Sequence, residues 1–115
     1  MKFYLASRYD NKLWLRGVRD KLQAMGHRVI SAWLDEGDAL DVQIEDVPIG
    51  IMICRAEDDI TEILGVDTFV HFQSRNRPNI RGGSSVEFGI ALAREKKMII
   101  VGDRINIFDF MPVVT

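Results

Sequence analysis

Residues 2–26 read KFYLASRYDNKLWLRGVRDKLQAMG, and this stretch indicates the fold class. It opens with a short apolar run, 2–6, which predicts a buried strand that the following polar residues end. Apolar side chains then recur at helical spacing through 11–25, and Gly26 follows where a glycine commonly ends a helix. A strand that leads directly into a helix is typical of the first half of a βαβ unit.

The same alternation continues along the rest of the chain. The patterns predict further strands over 27–33, 68–72 and 98–101, and helices over 51–64 and 84–94. The apolar tail, 105–115, is expected to form a last strand or to pack on a neighbouring chain. Alternating strands and helices form a parallel sheet with helices on both faces. We therefore predict a single α/β domain, a flavodoxin/Rossmann-like three-layer sandwich with a mostly parallel sheet of four to five strands.

The composition is that of an ordinary globular protein. The chain has 115 residues, of which 47% are hydrophobic and 28% charged, and this suits one domain with a real core. A net charge of -2 without a basic segment argues against a nucleic-acid partner. No apolar run approaches the roughly 20 residues of a membrane span, and the opening run is too short for a secretory signal. Because the single cysteine, Cys54, suits a reducing compartment, we expect a cytoplasmic protein without a membrane partner.

The stretch RGGSSVEFG, residues 81–89, contains the strongest candidate for chemistry. Its glycines allow a ligand to approach the backbone closely, and the helix that follows presents its N–H groups and positive dipole end to an anion. Glu87 lies one turn inside that helix, where the dipole favours the ionised carboxylate. Two interpretations remain open, because Ser84 and Glu87 also have the S-x-x-E spacing of a capping box, which would make Glu87 structural.

The other candidate side chains also have structural interpretations. Asp59 fits the solvated acidic face of a helix, Tyr4 fits a sheet aromatic, and Arg81 fits an ordinary loop charge. His27 and His71 have no partner at metal-ligand spacing, so we expect no metal site. No pattern in the chain indicates a cofactor.

Three features, in order along the chain, resemble the nucleoside 2-deoxyribosyltransferase family, including its nucleotide N-glycosidase branch. The opening FYLAS, residues 3–7, is similar to the family's first strand with its active-site tyrosine, here Tyr4. Asp59 stands where the family has an active-site aspartate, ahead of the third strand. The segment 83–89 is similar to the family's small-residue turn and the nucleophilic glutamate that follows it, here Glu87.

The resemblance implies an activity, a site and an assembly. It implies cleavage of the N-glycosidic bond of a small-molecule nucleoside or nucleotide, with Glu87, Asp59 and Tyr4 as catalytic residues and either water or a second base completing the reaction. It implies that the substrate is bound by Ser7, Arg8, Arg81, Gly83, Ser84, Ser85 and Asn106. Asn106 is similar to a residue that some members supply to a neighbouring subunit. Together with the apolar tail, this similarity predicts a homodimer or a larger homo-oligomer.

The chain departs from the family at Arg81, where some nucleoside-specific members have an aspartate that contacts the base. With Arg8 and the serines nearby, this departure favours a nucleoside 5′-monophosphate as the substrate, in its 2′-deoxy form. Three alternatives remain open: a TIR-like NAD-cleaving enzyme, a nucleotide-binding module without turnover, and a structural domain in which Glu87 only caps its helix. Release of nicotinamide from NAD would favour the first, and tight nucleotide binding without base release would favour the second.

Overall fold

The computed structural model describes residues 1–36, 46–76 and 82–115. The strands are β1 (Lys2–Ala6), β2 (Arg28–Val29), β3 (Thr68–Gln73) and β4 (Lys97–Gly102), and the α-helices are α1 (Lys12–Ala24), α2 (Ile49–Gly65) and α3 (Gly83–Ala93). Short 3₁₀ helices cover Tyr9–Asn11, Ala32–Asp35 and Ile107–Phe110. The alternation of strands and helices predicted from the sequence is confirmed over these residues.

The strands form a four-stranded, all-parallel sheet in the order β2-β1-β3-β4. This is the strand order of flavodoxin-like sheets, in which ligands bind beyond the carboxyl ends of the strands where the order reverses, here between β1 and β3. Tyr4 of β1 lies beside Phe69 of β3 in the register. The predicted α/β fold with a parallel sheet is therefore confirmed.

The two faces of the sheet are covered by different helices. On one face, Phe72 of β3 meets Trp14 of α1, with ring centroids 5.6 Å apart. On the other face, Phe69 stacks on Tyr4 at 5.7 Å and meets Phe88 of α3 at 6.2 Å. Strand β3 is buried along its whole length, as expected of a strand covered on both faces. The α2 and α3 side therefore contains an aromatic layer that includes the Tyr4 ring.

The predicted strand 27–33 is wrong over most of its length, since β2 contains only Arg28–Val29. The Leu5 N–H of β1 donates to Ser31 Oγ at 2.8 Å, and the Leu5 carbonyl accepts from Trp33 Nε1 at 2.8 Å. Because these side chains satisfy the backbone groups that a longer β2 would have paired, the ladder stops and the chain turns into the 3₁₀ helix Ala32–Asp35.

Helix α2, predicted over 51–64, is confirmed and is slightly longer, with 17 residues from Ile49 to Gly65. It begins directly after Pro48, whose carbonyl accepts hydrogen bonds from the first turn. Several of its apolar side chains, including Ile49 and Ile53, are exposed. Of the helices in the described ranges, none is long and apolar enough to cross a bilayer.

The tail makes one parallel bridge, between Met98 of β4 and Val114, and does not form the full strand considered from its composition. Asp109 anchors it. This side chain is completely buried, and its Oδ2 accepts from the Asn106 N–H at 3.1 Å and from Gln73 Nε2 at 3.1 Å. These bonds hold the tail against the end of β3, so the tail packs on the sheet of its own chain.

Candidate active site

Tyr4 and Glu87 meet on the face of the sheet that α2 and α3 cover. Tyr4 is completely buried in the middle of β1, and the alternation of the strand directs its ring toward α3. Its hydroxyl donates a hydrogen bond to Glu87 Oε2. The carboxylate of α3 is therefore directed into the sheet, toward the phenol.

The capping-box interpretation of Ser84 and Glu87 is wrong. Helix α3 begins earlier than that motif requires, with Gly82 as its N-cap and no side chain bonded there. The Gly82 carbonyl accepts from the N–H groups of Ser85 at 3.1 Å and Val86 at 3.2 Å. The φ of Gly82 is 85°, a conformation that side-chain-bearing residues rarely adopt. The glycine thus sets the start of the helix and leaves the Glu87 carboxylate free to reach Tyr4.

Asp59 is the third member of the group. It lies on α2 and is half-buried, and its Oδ1 is buried without a hydrogen-bond partner among the residues that the structure describes. The charge of Asp59 raises the pKa of both Tyr4 and Glu87, and a hydrogen bond with Tyr4 lowers the pKa of Asp59. Three elements that are distant in sequence, β1, α2 and α3, therefore each bring one of these side chains to a common site.

Burial and repulsion between carboxylates raise the pKa of both acids. Burial raises the pKa of Asp59 to about 7, and the neighbouring charges of Glu36 and Glu62 add to the increase. Burial also raises the pKa of Glu87 to about 8, although the hydrogen bond from Tyr4 opposes it. The helix dipole was expected to favour ionised Glu87, but burial outweighs it here. Both carboxyls therefore exchange protons in the neutral range, as acid–base catalysis requires.

Burial and the nearby carboxylates also raise the pKa of Tyr4 far above its ordinary value. The phenol consequently keeps its proton in the neutral range and donates it in a hydrogen bond to the Glu87 carboxylate. This property suits a side chain that orients a nucleophile and stabilises its charge.

Two further carboxylates, Glu62 and Glu36, lie close enough to influence the site and were missed from the sequence. Glu62 follows Asp59 by one helical turn on α2, and this i, i+3 spacing was a usable signal. Glu36 follows the 3₁₀ helix Ala32–Asp35 and pairs with Arg55 of α2 at 3.4 Å. Only the folding of this segment onto α2 brings Glu36 near Asp59, so no local pattern indicated it.

The glycine-rich turn lies at the start of α3. Gly83, Ser84 and Ser85 form the first turn of the helix and are at least partly exposed. The first N–H groups of a helix have no carbonyl partner within it, and they favour an anion together with the dipole. This turn is one helical turn away from Glu87, as a substrate-binding role would require. Arg81 lies outside the described residues.

Ser7 and Arg8 follow β1 at its carboxyl end. The Ser7 hydroxyl donates to the Phe72 carbonyl at 3.1 Å, so it helps to join the ends of β1 and β3. Arg8 Nε pairs with Asp10 at 2.9 Å, and the side chain lines a shallow depression of about 170 Å³ beside α1. This depression is on the opposite side of the sheet from the Glu87 carboxylate. The substrate-binding roles of Ser7 and Arg8 therefore remain predictions.

Asn106 is exposed in the tail, and its Oδ1 accepts from the Phe108 N–H at 2.9 Å. It forms a capping box with Asp109 at the start of the 3₁₀ helix Ile107–Phe110, so its side chain is engaged within its own chain. A role toward a neighbouring subunit remains a prediction. In the ranges 1–36, 46–76 and 82–115, no group of histidine, cysteine or acidic residues is arranged to hold a metal ion.

Solved structures share this architecture. No protein-family model and no curated protein matches the chain. A 2-deoxyribosyltransferase from Bacillus psychrosaccharolyticus superposes with a TM-score of 0.72 and 18% identity, over 94% of this chain and 79% of that one. The CMP N-glycosidase of Clostridium botulinum superposes with a TM-score of 0.63 and 16% identity, over 100% of this chain and 86% of that one. The chain therefore has the fold that the family resemblance implied.

Proposed function

We propose that this protein cleaves the N-glycosidic bond of a nucleoside or nucleoside 5′-monophosphate, with Glu87 as the nucleophile, Asp59 as the acid–base group and Tyr4 as the group that orients Glu87. The observation that carries the proposal is the Tyr4–Glu87 hydrogen bond next to Asp59. The two solved structures of the same fold support it, because one is named a 2-deoxyribosyltransferase and the other a CMP N-glycosidase.

In the first step, a carboxylate oxygen of Glu87 bonds to the anomeric carbon of the sugar as the bond from that carbon to the base nitrogen breaks. The transition state resembles an oxocarbenium ion, which the carboxylate stabilises as in retaining glycosidases. The bonding electrons pass to the base nitrogen, and a proton from Asp59 accompanies the departing base. Tyr4 holds one carboxylate oxygen through its hydroxyl, which directs the other toward the sugar.

In the second step, Asp59 acts as a base. A water molecule loses a proton to the Asp59 carboxylate while its oxygen bonds to the anomeric carbon, and Glu87 leaves as a carboxylate. This route makes the protein a hydrolase. If the nitrogen of a second base attacks in place of water, the same carboxylates catalyse a transfer reaction. The attacking nitrogen then gives its proton to Asp59, as the water does in hydrolysis.

The negative 5′-phosphate of a nucleotide would be held by the first turn of α3, with donors from the N–H groups of Gly83 and Ser84 and the hydroxyls of Ser84 and Ser85. Arg81, which comes just before this turn in the sequence, would add positive charge. Arg8 would have to leave its ion pair with Asp10 to do the same. The deoxy form of the sugar is the one that the family resemblance favours. The proposed substrate is therefore a 2′-deoxynucleoside 5′-monophosphate.

The proposal is tested by incubating the protein with a panel of nucleosides, their 5′-monophosphates and NAD, and by measuring the released base by chromatography. Base release from a nucleoside or nucleotide is expected, together with its loss by a factor of at least about a thousand in Glu87→Ala. The control is Glu57→Ala, which removes an exposed carboxylate of α2 and is expected to leave the rate unchanged.

A second measurement identifies the nucleophile. When the reaction is quenched during turnover and the digested protein is analysed by mass spectrometry, the peptide that contains Glu87 is expected to gain the mass of the sugar phosphate. Equal activity in wild type and Glu87→Ala would refute the assignment of the nucleophile. Nicotinamide release from NAD without any nucleotide cleavage would favour the NAD-cleaving alternative.

A further inference from the structure

Glu62 joins the helix that carries Asp59 to the edge of the sheet. Its carboxylate accepts the Ala32 N–H through both oxygens, at 3.0 Å and 3.3 Å. Ala32 begins the 3₁₀ helix whose N-cap, Ser31, has no side-chain capping bond of its own. The Ser31 hydroxyl instead accepts from Leu5 of β1. The Glu62 carboxylate of α2 thus accepts an N–H at the start of the 3₁₀ helix Ala32–Asp35, where the N-cap residue Ser31 makes no capping bond.

The segment that Glu62 holds is bonded directly to the strand that carries Tyr4. Trp33 donates from its indole nitrogen to the carbonyl of Leu5, the residue next to Tyr4. The path from Glu62 through Ala32 to Leu5 therefore fixes α2 relative to β1. Asp59 lies one turn before Glu62 on α2, so the same bonds set the position of its carboxyl toward Tyr4.

The charge of Glu62 also acts on the site. Charged or titratable side chains face Asp59 from every element around it: Asp58 and Glu62 on α2, Glu36 beside the 3₁₀ segment, Tyr4 on β1, and Glu87 on α3. Glu36 is partly neutralised by Arg55. Glu62 is bonded to the Ala32 backbone N–H, which favours its ionised form although burial raises its pKa. Its charge adds to that of Glu36 in repelling a second charge on Asp59.

We propose that Glu62 is a positioning residue with two effects: its bond to Ala32 fixes α2, and its charge retains on Asp59 the proton that the departing base receives. The two effects can be separated chemically. Glutamine keeps an oxygen that accepts the Ala32 N–H but has no charge, whereas alanine loses both. The inference rests on the proposed role of Asp59 as the acid, but its effect on the Asp59 proton is measurable without any substrate.

The test compares wild type, Glu62→Gln, Glu62→Ala and the control Glu57→Gln, which removes an exposed charge from the same helix. The Asp59 carboxyl is titrated by NMR with carbon-labelled aspartate, and its resonance is assigned with Asp59→Asn. In Glu62→Gln, Asp59 is expected to lose its proton at lower pH than in wild type, with a melting temperature that is not lowered. Glu62→Ala should show the same shift with a lower melting temperature, and Glu57→Gln should match wild type.

The rate of base release provides a second readout. Because Glu62 also repels charge on Glu87, both limbs of the pH profile of kcat/KM should move to lower pH in Glu62→Gln. Superimposable Asp59 titrations in wild type and Glu62→Gln would overturn the inference and would leave Glu62 a purely structural role. If wild type releases no base but the titration shifts as expected, the proposed function fails while the inference about Glu62 stands.

Discussion

The Tyr4 hydroxyl donates a hydrogen bond to the Glu87 carboxylate across a sequence separation of 83 residues. Removing it in Tyr4→Phe should lower kcat/KM by about ten- to a hundredfold, because a hydrogen bond to a charged group contributes about 1.5–3 kcal/mol. Tyr4 also lowers the pKa of both Glu87 and Asp59 through its hydroxyl, so its loss should move both limbs of the pH profile to higher pH.

The matched control for this substitution is Tyr9→Phe, since the chain contains two tyrosines and Tyr9 packs beside Trp33, away from Glu87. Its melting temperature should be measured, because its hydroxyl also contacts Lys12. The orienting role fails if Tyr4→Phe retains both the rate and the pH profile of wild type.

The dependence of activity on pH follows from the pKa values near 7 for Asp59 and near 8 for Glu87. Catalysis needs one proton on the pair, held by Asp59, with Glu87 ionised. Because Glu87 has the higher pKa, this arrangement is the minor one of the two singly protonated forms, about a tenth of their total. Below about pH 7 both carboxyls hold protons, and above about pH 8 both are ionised. A bell-shaped profile of kcat/KM with its maximum between these limbs is therefore expected. A kcat/KM that stays constant from about pH 6 to 9 would contradict these two pKa values.

Glu87 should also destabilise the fold at alkaline pH. Burial raises its folded pKa to about 8, so the folded state binds more protons than the unfolded state below that pH. The stability that this carboxyl contributes is complete below its unfolded pKa and is lost as the pH rises through about 8. Thermal unfolding of Glu87→Gln should therefore show a higher melting temperature than wild type at pH 9 and a similar one at pH 4. A lower melting temperature at pH 9 would contradict this expectation.

Substrate charge is a separate prediction. Wild type should release base from a 2′-deoxynucleoside 5′-monophosphate about ten- to a hundredfold faster than from the free nucleoside. This factor corresponds to the free energy of one charge-assisted hydrogen bond to the phosphate. That ratio should fall in Arg81→Ala or Arg8→Ala if the arginine contacts the phosphate. Because Arg8 pairs with Asp10 and lines the depression on the α1 side of the sheet, the larger effect is expected in Arg81→Ala. Equal rates on both substrates would exclude a phosphate site.

The tail predicts self-association. Six large apolar side chains there are exposed, and they are Ile105, Ile107, Phe108, Phe110, Met111 and Val113. So much exposed apolar surface on a small chain favours burial against another copy. Sedimentation at micromolar concentration should give a dimer or larger species, and Phe110→Asp should shift it toward the monomer. The control is Lys21→Asp on α1, which introduces an aspartate outside the tail. Wild type that sediments as a monomer would refute the prediction.

The sequence by itself determined the class of fold, because the periodicities it carries are local. The apolar run 2–6, the helical spacing of 11–25 and the β-branched and aromatic stretch 68–72 each identify one element without knowledge of the others. Their order then fixes a parallel sheet, since right-handed crossovers leave few alternatives. It also placed Tyr4, Asp59 and Glu87 on elements that such a sheet brings together.

Only the tertiary structure decided the contacts between elements. A short β2 results from Ser31 and Trp33 occupying the backbone groups of Leu5, and no local period encodes that competition. Whether Glu87 capped its own helix or faced Tyr4 depended on the φ of Gly82, which starts α3 early. The raised pKa values likewise come from burial and from carboxylates on other elements, because electrostatic interactions depend on distances that form only when the chain folds.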